Sequence, residues 1–432
     1  MLQPLVVGLG RSGSGLHLRT LTRLVRRSES TSVASDLPVA LPAVGCDPRA
    51  AALRPACAPG EVTVVATLEE AVALVDPADA VAHVCTPPQV RHGVVAALAG
   101  HGVRRMIVEK PLAASRAELD ALVRLRGEAG LDLVPVSHWT ASRLAARLRR
   151  LARDGRLGRL RRITVDQHKP RFSRSLATDS HTTALDVEIP HSLALALDLA
   201  GPAELRAAHC WDLYCEDGRL PGLGGAHLEL EHHSGVFTLL RSDLGAPVRQ
   251  RSVRCEFDAG TVTAHFPLSE DDDHAQLVVT ACGEGAPVSG GGAFPPLEAS
   301  AGDAAPTGSG ASVTDGMPAW PGPVADAGPA WAGDPARGGV AAASGAPVLG
   351  GTPARAGATV AGGVPEPGRQ VIRDDALADF LAGVYRRFAS GAVDAGGSTG
   401  TSGFELACAA ARLLCEARDR CAAAPRARAG SR

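Results

Sequence analysis

The feature that most constrains this chain is its opening. Gln3–Gly8 is a short apolar run that ends in Gly8-Leu9-Gly10-Arg11-Ser12-Gly13. Directly behind it, Ser14–Arg27 carries Leu18, Leu21 and Val25 at helical spacing. Strand, GxGxxG turn and helix stand in the order that a dinucleotide site needs. The glycines let the backbone turn tightly and approach a pyrophosphate, whose charge then meets the helix N-terminus. Gly8, Gly10, Arg11, Ser12 and Gly13 are therefore expected to bind a dinucleotide.

The pattern continues as alternating strands and helices. Leu41–Cys46, Val62–Ala66, Ala80–Cys85, Arg105–Val108 and Leu131–Ser137 read as buried strands, with helices at Gln89–His101 and Ser115–Ala129. Repeated βα units of this length predict a doubly wound parallel sheet over residues 1–138. A second, α+β domain is expected over 139–282. Its basic helix Ser142–Arg153 and a helix near His191–Leu199 accompany strands at Arg162–Gln167, Leu205–Tyr214, Ala226–Glu231, Val236–Arg241, Val253–Phe257 and Thr261–Phe266. Short turns join them, as in an antiparallel sheet. The fold class is thus α/β plus α+β.

Residues 283–370 differ again. Gly, Ala and Pro make up more than half of them without a period. Such a composition buries too little apolar surface to offset ordering entropy, so a disordered insertion is expected there. In 371–432, Leu377, Phe380, Leu381, Val384 and Phe388 share one helical face and Phe404–Arg418 forms a second helix, both expected to complete the fold ahead of a disordered tail.

Charge narrows the function. With 44 basic and 46 acidic residues the net charge is −2, against the basic excess of a nucleic-acid binder. No run of about 18 apolar residues predicts a membrane span, and no signal peptide is read at the start. The 10 cysteines lack CxxC and zinc-like spacing, so reduced thiols in a cytoplasm are expected. Only Lys110 and Lys169 are lysines. Where arginine is the default cation, a lysine marks a place for a compact, tunable ammonium.

Lys110 lies in Glu109-Lys110-Pro111, directly after a strand, at the carboxyl edge where open α/β sheets bind ligands. Thr86-Pro87-Pro88 follows the preceding strand, so Thr86 and Pro87 are expected to line the nicotinamide side, with His92 on the next helix. Asp47, closing the second strand, can accept ribose hydroxyls and repel a 2′-phosphate, which favours NAD over NADP; Arg49 beside it can tolerate that phosphate. In Asp186-Val187-Glu188-Ile189-Pro190-His191, Pro190 suits a helix's first turn. His191 is the candidate acid/base, oriented by Asp186 or Glu188. Lys169 and Arg171, with His138 and Trp139 at the domain junction, are the candidate substrate contacts. The run Glu270-Asp271-Asp272-Asp273-His274 reads as a solvated turn, so no metal is assigned. Neither tyrosine has a lysine four residues on, which excludes the short-chain dehydrogenase pattern.

The Gly-rich turn, Thr86-Pro87, Glu109-Lys110-Pro111, Gly155-Arg156-Leu157-Gly158 and the acidic start before His191 together resemble the Gfo/Idh/MocA family. The resemblance covers roughly 1–282 and 371–420. It implies a Rossmann domain plus a domain on a large antiparallel sheet. It also implies NAD(P)-dependent oxidation or reduction of a hydroxyl or keto carbon on a sugar, sugar derivative or cyclitol, and a homo-oligomer built through that sheet. Lys110 matches the family's lysine and His191 its catalytic histidine. The family commonly sets its carboxylate four residues before that histidine; here Asp186 is five before and Glu188 three before. Two other readings stand beside this one: a non-redox glycoside hydrolase that uses NAD transiently, and a dinucleotide-sensing binding protein.

Overall fold

In the computed structural model, which describes residues 1–30, 37–53, 57–177, 183–216, 218–268, 272–281, 368–391 and 403–423, the opening apolar run is β1 (Gln3–Val7). The glycine turn leads into a wide helical turn, Arg11–Leu18, that runs on as α1 (Arg19–Ser30). The sheet is completed by β2 (Ala43–Cys46), β3 (Val62–Val65), β4 (Ala80–Val84), β5 (Arg105–Val108) and β6 (Asp132–Pro135). All six strands are parallel, in the order β3-β2-β1-β4-β5-β6. β1 and β4 are buried almost throughout, as parallel strands covered on both faces must be. The order reverses between β1 and β4, which opens a crevice at the strands' carboxyl ends.

The connecting helices are α2 (Leu68–Val72), α3 (Pro88–Gly100) and α4 (Arg116–Glu128). Two start in reciprocal caps. Thr67 and Ser115 accept the amides of Glu70 and Glu118, whose carboxylates accept the cap amides in return. In α3, Pro88 fills the first turn, where no amide donor is missed.

After α5 (His138–Ala141) and α6 (Arg143–Arg153), β7 (Leu160–His168) begins a second sheet. It is followed by α7 (Phe172–Ala177), α8 (Ile189–Ala200), β8 (Ala203–Cys215), β9 (Gly218–His232), β10 (Phe237–Asp243), β11 (Gln250–Phe257), β12 (Gly260–His265), β13 (His274–Ala281), β14 (Gly368–Arg373), α9 (Ala376–Ser390) and α10 (Gly403–Ala423). The eight strands run β14-β13-β12-β11-β7-β10-β9-β8. Every pairing is antiparallel except β7 with β10, so the sheet is mixed rather than purely antiparallel.

β14 pairs with β13, so residues 368–370, expected to end the insertion, belong to a strand. The rest of the expected 283–370 segment, and the expected tail, lie outside the described residues.

One face of the second sheet is covered by α6, α8 and α10. Leu144, Leu148, Leu193, Leu195, Leu413 and Leu414 meet Val165, Leu228, Leu240 and Val253 there. Each fully buried leucine contributes about 1.5–3 kcal/mol. α10 belongs to two cores at once: Phe404, Cys408 and Ala411 pack with the first sheet, and Ala410, Leu413 and Ala417 with the second. α9 closes the first sheet's other side, with Phe380, Leu381 and Tyr385 against Leu21, Val81 and Ile107.

Candidate active site

The glycine turn is built by close approach. Gly8 has φ of +91°, and a Cβ on it would lie 3.0 Å from the Cys85 carbonyl. A Cβ on Gly13 would lie 1.9 Å from the Gly8 oxygen. Gly10 would meet nothing within 4 Å, so the space above the helix start is open. Around that cradle, Arg11 is exposed and Ser12 half-buried.

Asp47 is buried beside the turn. Its Oδ2 accepts the Leu9 amide at 2.9 Å and Arg49 Nη2 at 3.1 Å; its Oδ1 accepts the Arg49 amide and Nε, each at 3.0 Å. These bonds outweigh burial and hold the carboxyl below its ordinary range. The acid expected to face the ribose is thus already held by Arg49.

At the next two strand ends, Arg91 ties two loops together. It is 2% exposed and donates from Nη2 to the Thr86 carbonyl at 2.5 Å and from Nη1 to the Pro111 carbonyl. Among the described residues the buried Thr86 hydroxyl has no partner, and a ligand in the crevice can supply one. Pro87 caps α3; His92, one residue past Arg91, is half-buried on that helix. Glu109 Oε2 accepts the Lys110 amide at 3.0 Å, and its Oε1 is 3.1 Å from His17 Nε2. Burial would raise this carboxyl, but the His17 bond and charge, with Lys110 and Arg91, pull it down to about 2. The Lys110–Pro111 peptide is cis, and Lys110 Nζ donates to the Val187 carbonyl at 2.8 Å. That bond carries the lysine from the first sheet's edge to a point four residues before His191.

His191 sits in the first turn of α8, 8% exposed. Its ring meets His138 edge-on at 4.5 Å and lies nearly parallel to Trp139 at 6.0 Å; Trp139 in turn stacks on Phe266 at 4.1 Å. Burial first, then His138 and the cations of Lys110, Arg251 and Lys169, push His191 well below its ordinary 6.5. Burial likewise brings His138 down to about 4. Both imidazoles are neutral at pH 7, and among the described residues the buried His138 Nδ1 has no partner.

Neither expected carboxylate is hydrogen-bonded to the His191 ring. Asp186 Oδ1 takes Arg418 Nε at 3.0 Å and Nη2 at 2.5 Å. Glu188 takes Lys169 Nζ at 2.6 Å and Gln167 Nε2 at 2.9 Å, with Arg251 at 4.0 Å. Burial is again overcome, first by Lys169 and then by Arg251, and Glu188 sits at about 2. Lys169 therefore neutralises Glu188, and the buried Arg171 donates its amide to Leu244. Arg91, Arg251, Gln167, Arg418 and His17 were not singled out from the sequence. Arg251 carried a signal: it shares a strand face with Val253, Cys255 and Phe257, an apolar register in which an arginine is out of place. Asp272, Asp273 and His274 cluster at the start of β13, where His274 meets both carboxylates and Arg373 donates to Asp273.

Residues 2–136 match the family model described as the oxidoreductase family with an NAD-binding Rossmann fold. No curated protein matches the chain. Among solved structures the chain is similar to KijD10, a 3-ketoreductase from Actinomadura kijaniata in complex with TDP-benzene and NADP. The TM-score is 0.61 at 12% identity, covering 98% of this chain and 97% of that one. It is also similar to the UDP-N-acetylglucosamine 3-dehydrogenase GnnA from Acidithiobacillus ferrooxidans, with TM-score 0.58, 16% identity and coverage of 98% and 97%. The WlbA dehydrogenase from Bordetella pertussis, in complex with NADH and UDP-GlcNAcA, aligns with TM-score 0.50 and 20% identity over 61% of this chain and 73% of that one. Likeness at these identities is likeness of fold. Among the described residues, no helix is long and apolar enough to cross a membrane.

Proposed function

We propose that this chain, whose N-terminal domain belongs to the Gfo/Idh/MocA oxidoreductase family, is an NAD(P)-dependent dehydrogenase or ketoreductase acting on a sugar hydroxyl or keto carbon. The observation that carries the reading is the Lys110–Val187 bond, which sets an ammonium beside the His191 helix start. The open space at Gly10 and the buried Thr86 hydroxyl, without a partner among the described residues, fit a bound dinucleotide. Gly8–Gly13 would hold its pyrophosphate, Asp47 with Arg49 its adenosine ribose, and Thr86 and Pro87 its nicotinamide end.

A bound nicotinamide dinucleotide supplies the hydride acceptor or donor. His191, neutral because it is buried, accepts the proton of the substrate hydroxyl during oxidation. Lys110 leaves the Val187 carbonyl and donates to the same oxygen, stabilising charge as it develops. One such donor in a water-poor site contributes about 3–4 kcal/mol. Trp139 and His138, whose rings lie against His191, and the Lys169–Glu188–Arg251 cluster are the candidate sugar contacts.

The favoured substrate is a sugar carried on a nucleoside diphosphate, because neighbours that align over nearly the whole chain include a 3-ketoreductase holding TDP-benzene and a UDP-sugar 3-dehydrogenase. NAD is the expected cofactor, with NADP accepted through Arg49. We place the enzyme in the cytoplasm as a homo-oligomer joined through the open face of the second sheet. The test is a panel of nucleotide sugars, free sugars and cyclitols, followed at the reduced-nicotinamide absorbance band. Net NADH formation, or NADH consumption with a keto sugar, supports the reading. Product release without net NADH would point to glycoside cleavage, and tight cofactor binding without turnover to a sensing protein.

A further inference from the structure

Behind the glycine turn lies a buried polar chain that the proposed chemistry does not use. Glu109 Oε1 is 3.1 Å from His17 Nε2, His17 Nδ1 is 2.7 Å from His83 Nδ1, and His83 Nε2 is 2.9 Å from the Tyr385 hydroxyl. The four residues come from the end of β5, the glycine-turn helix, the centre of β4, and α9. His17, His83 and Tyr385 have no exposed surface at all. Placing two imidazoles and a phenol in an apolar sheet core is costly unless every polar atom is paired, and here the pairing runs in series.

We propose that His17, His83 and Tyr385 are positioning residues that act through Glu109 to fix Lys110 from the far side of the first sheet. The covalent geometry makes the link direct. Glu109 has two oxygens: the relay holds Oε1, and Oε2 grips the Lys110 amide. With Oε1 fixed, Oε2 cannot turn away, and the backbone that aims Lys110 Nζ at Val187 is held. Arg91, bonded to the Thr86 and Pro111 carbonyls, fixes the other side of the same loop. Because His17 lies on the glycine-turn helix, the relay also joins the cofactor cradle to the lysine.

Two proton arrangements satisfy the whole series. In one, the Tyr385 O–H donates to His83 Nε2, His83 Nδ1–H donates to His17 Nδ1, and His17 Nε2–H donates to Glu109. In the other, a doubly protonated His17 donates to both Glu109 and His83, and His83 donates onward to the Tyr385 oxygen. The two differ by one proton and by the tautomer of His83. The groups facing His17 are Glu109, His83 and Cys85, and those facing Glu109 include Lys110 and Arg91. Burial opposes the charge on His17, but Cys85 and Glu109, by charge and hydrogen bond, raise it to about 10.

The relay is readable without substrate, so its failure and that of the hydride-transfer reading are distinguishable; only its consequence for rate rests on that reading. The experiment takes ligand-free, full-length, 15N-labelled protein at pH 7, with the His17 signals assigned by their loss in His17→Gln. Tyr385→Phe removes one hydroxyl and keeps the α9 packing. It is expected to shift the ring nitrogens of His83 and, one bond further along, those of His17, with which Tyr385 shares no bond or ring contact. His17→Leu is expected to speed exchange of the Lys110 amide at least tenfold. His17→Gln, which can still donate to Glu109 and accept from His83, is expected to retain the protection. A Tyr385→Phe effect confined to His83, or a Lys110 amide still protected in a folded His17→Leu protein, overturns the proposal. If His17→Leu does not fold, the Tyr385→Phe arm decides alone.

Discussion

At the scale of single residues, the proposed chemistry rests on Lys110 and His191. Lys110→Met and Lys110→Arg are each expected to lower turnover about a hundredfold while dinucleotide binding persists. Arginine keeps the charge, but its broader fork cannot present one ammonium at the substrate oxygen. Near-full turnover in Lys110→Arg would reduce the lysine to a positioning charge. The pH dependence follows from burial. A base held well below 6.5 stays unprotonated as pH falls, so oxidation is expected to remain on its plateau down through pH 6.5. An acid limb centred at or above that value in the kcat profile would take the role from His191. The cofactor question is also one of single side chains. Arg49, two-thirds exposed, now occupies the Asp47 carboxylate. Arg49→Ala frees that carboxylate for ribose hydroxyls and removes a partner for a 2′-phosphate. The NAD-over-NADP ratio of kcat/KM is expected to rise at least tenfold; an unchanged ratio would show that neither residue reads the ribose.

At the scale of elements, α10 is the clamp. Arg418 donates to Asp186, ahead of α8, and to the Ala114 carbonyl, just past the Lys110 loop. It thereby fastens to one helix both segments that bear the proposed catalytic groups. Arg418→Leu removes the two-pronged cation from the buried Asp186 carboxylate, and removing one partner of such a pair costs about 3–5 kcal/mol. Thermal unfolding should report that loss, and a midpoint unchanged from the parent would show that Asp186 finds another cation. This clamp also marks where the sequence stops being legible. The strands and helices of the first sheet follow from local period, and the glycine turn, Glu109-Lys110-Pro111 and His191 stand out by residue type. The partners do not. Asp186 and Glu188 look like orienting groups for His191, because they are its neighbours along the chain. Folded, they face Arg418, 232 positions later, and Lys169, 19 earlier. A side chain's electrostatic partner is chosen by tertiary contact, which no local spacing encodes. β14 was missed for a different reason. It is an edge strand with nearly all its residues exposed, so it lacks the alternation that betrays a half-buried strand.

At the scale of the whole molecule, opposed buried ionisations confine stability to a window around neutrality. Glu109 and Glu188 lie at about 2 against an ordinary 4.5, so the stability they contribute is lost as pH falls from 4.5 toward 2. His138, at about 4 against 6.5, penalises the fold already between 6.5 and 4, where the unfolded chain takes up a proton that the folded one refuses. His17 has the other sign. Raised from 6.5 to about 10, its contribution is complete below 6.5 and fades as pH rises toward 10. The thermal midpoint is therefore expected to fall on both sides of pH 6.5–7, and a profile still rising at pH 9 would show that His17 is neutral in the fold. The second sheet makes a further expectation about chain economy. β13 and β14 are antiparallel neighbours with Val279 opposite Gly368, so the residues between them leave and re-enter at one end of a strand pair. A gap of about 4.8 Å between paired strands needs only a short turn. Closing a loop costs about 0.6 kcal/mol per doubling of its length, so a shorter connection lowers that cost. Replacing residues 283–366 by a six-residue Gly/Ser linker is therefore expected to leave unfolding cooperative, the midpoint within a few degrees, and NAD binding unchanged. A broadened transition, or loss of β14 protection in hydrogen exchange, would mean that the replaced residues hold the sheet's last strand in place.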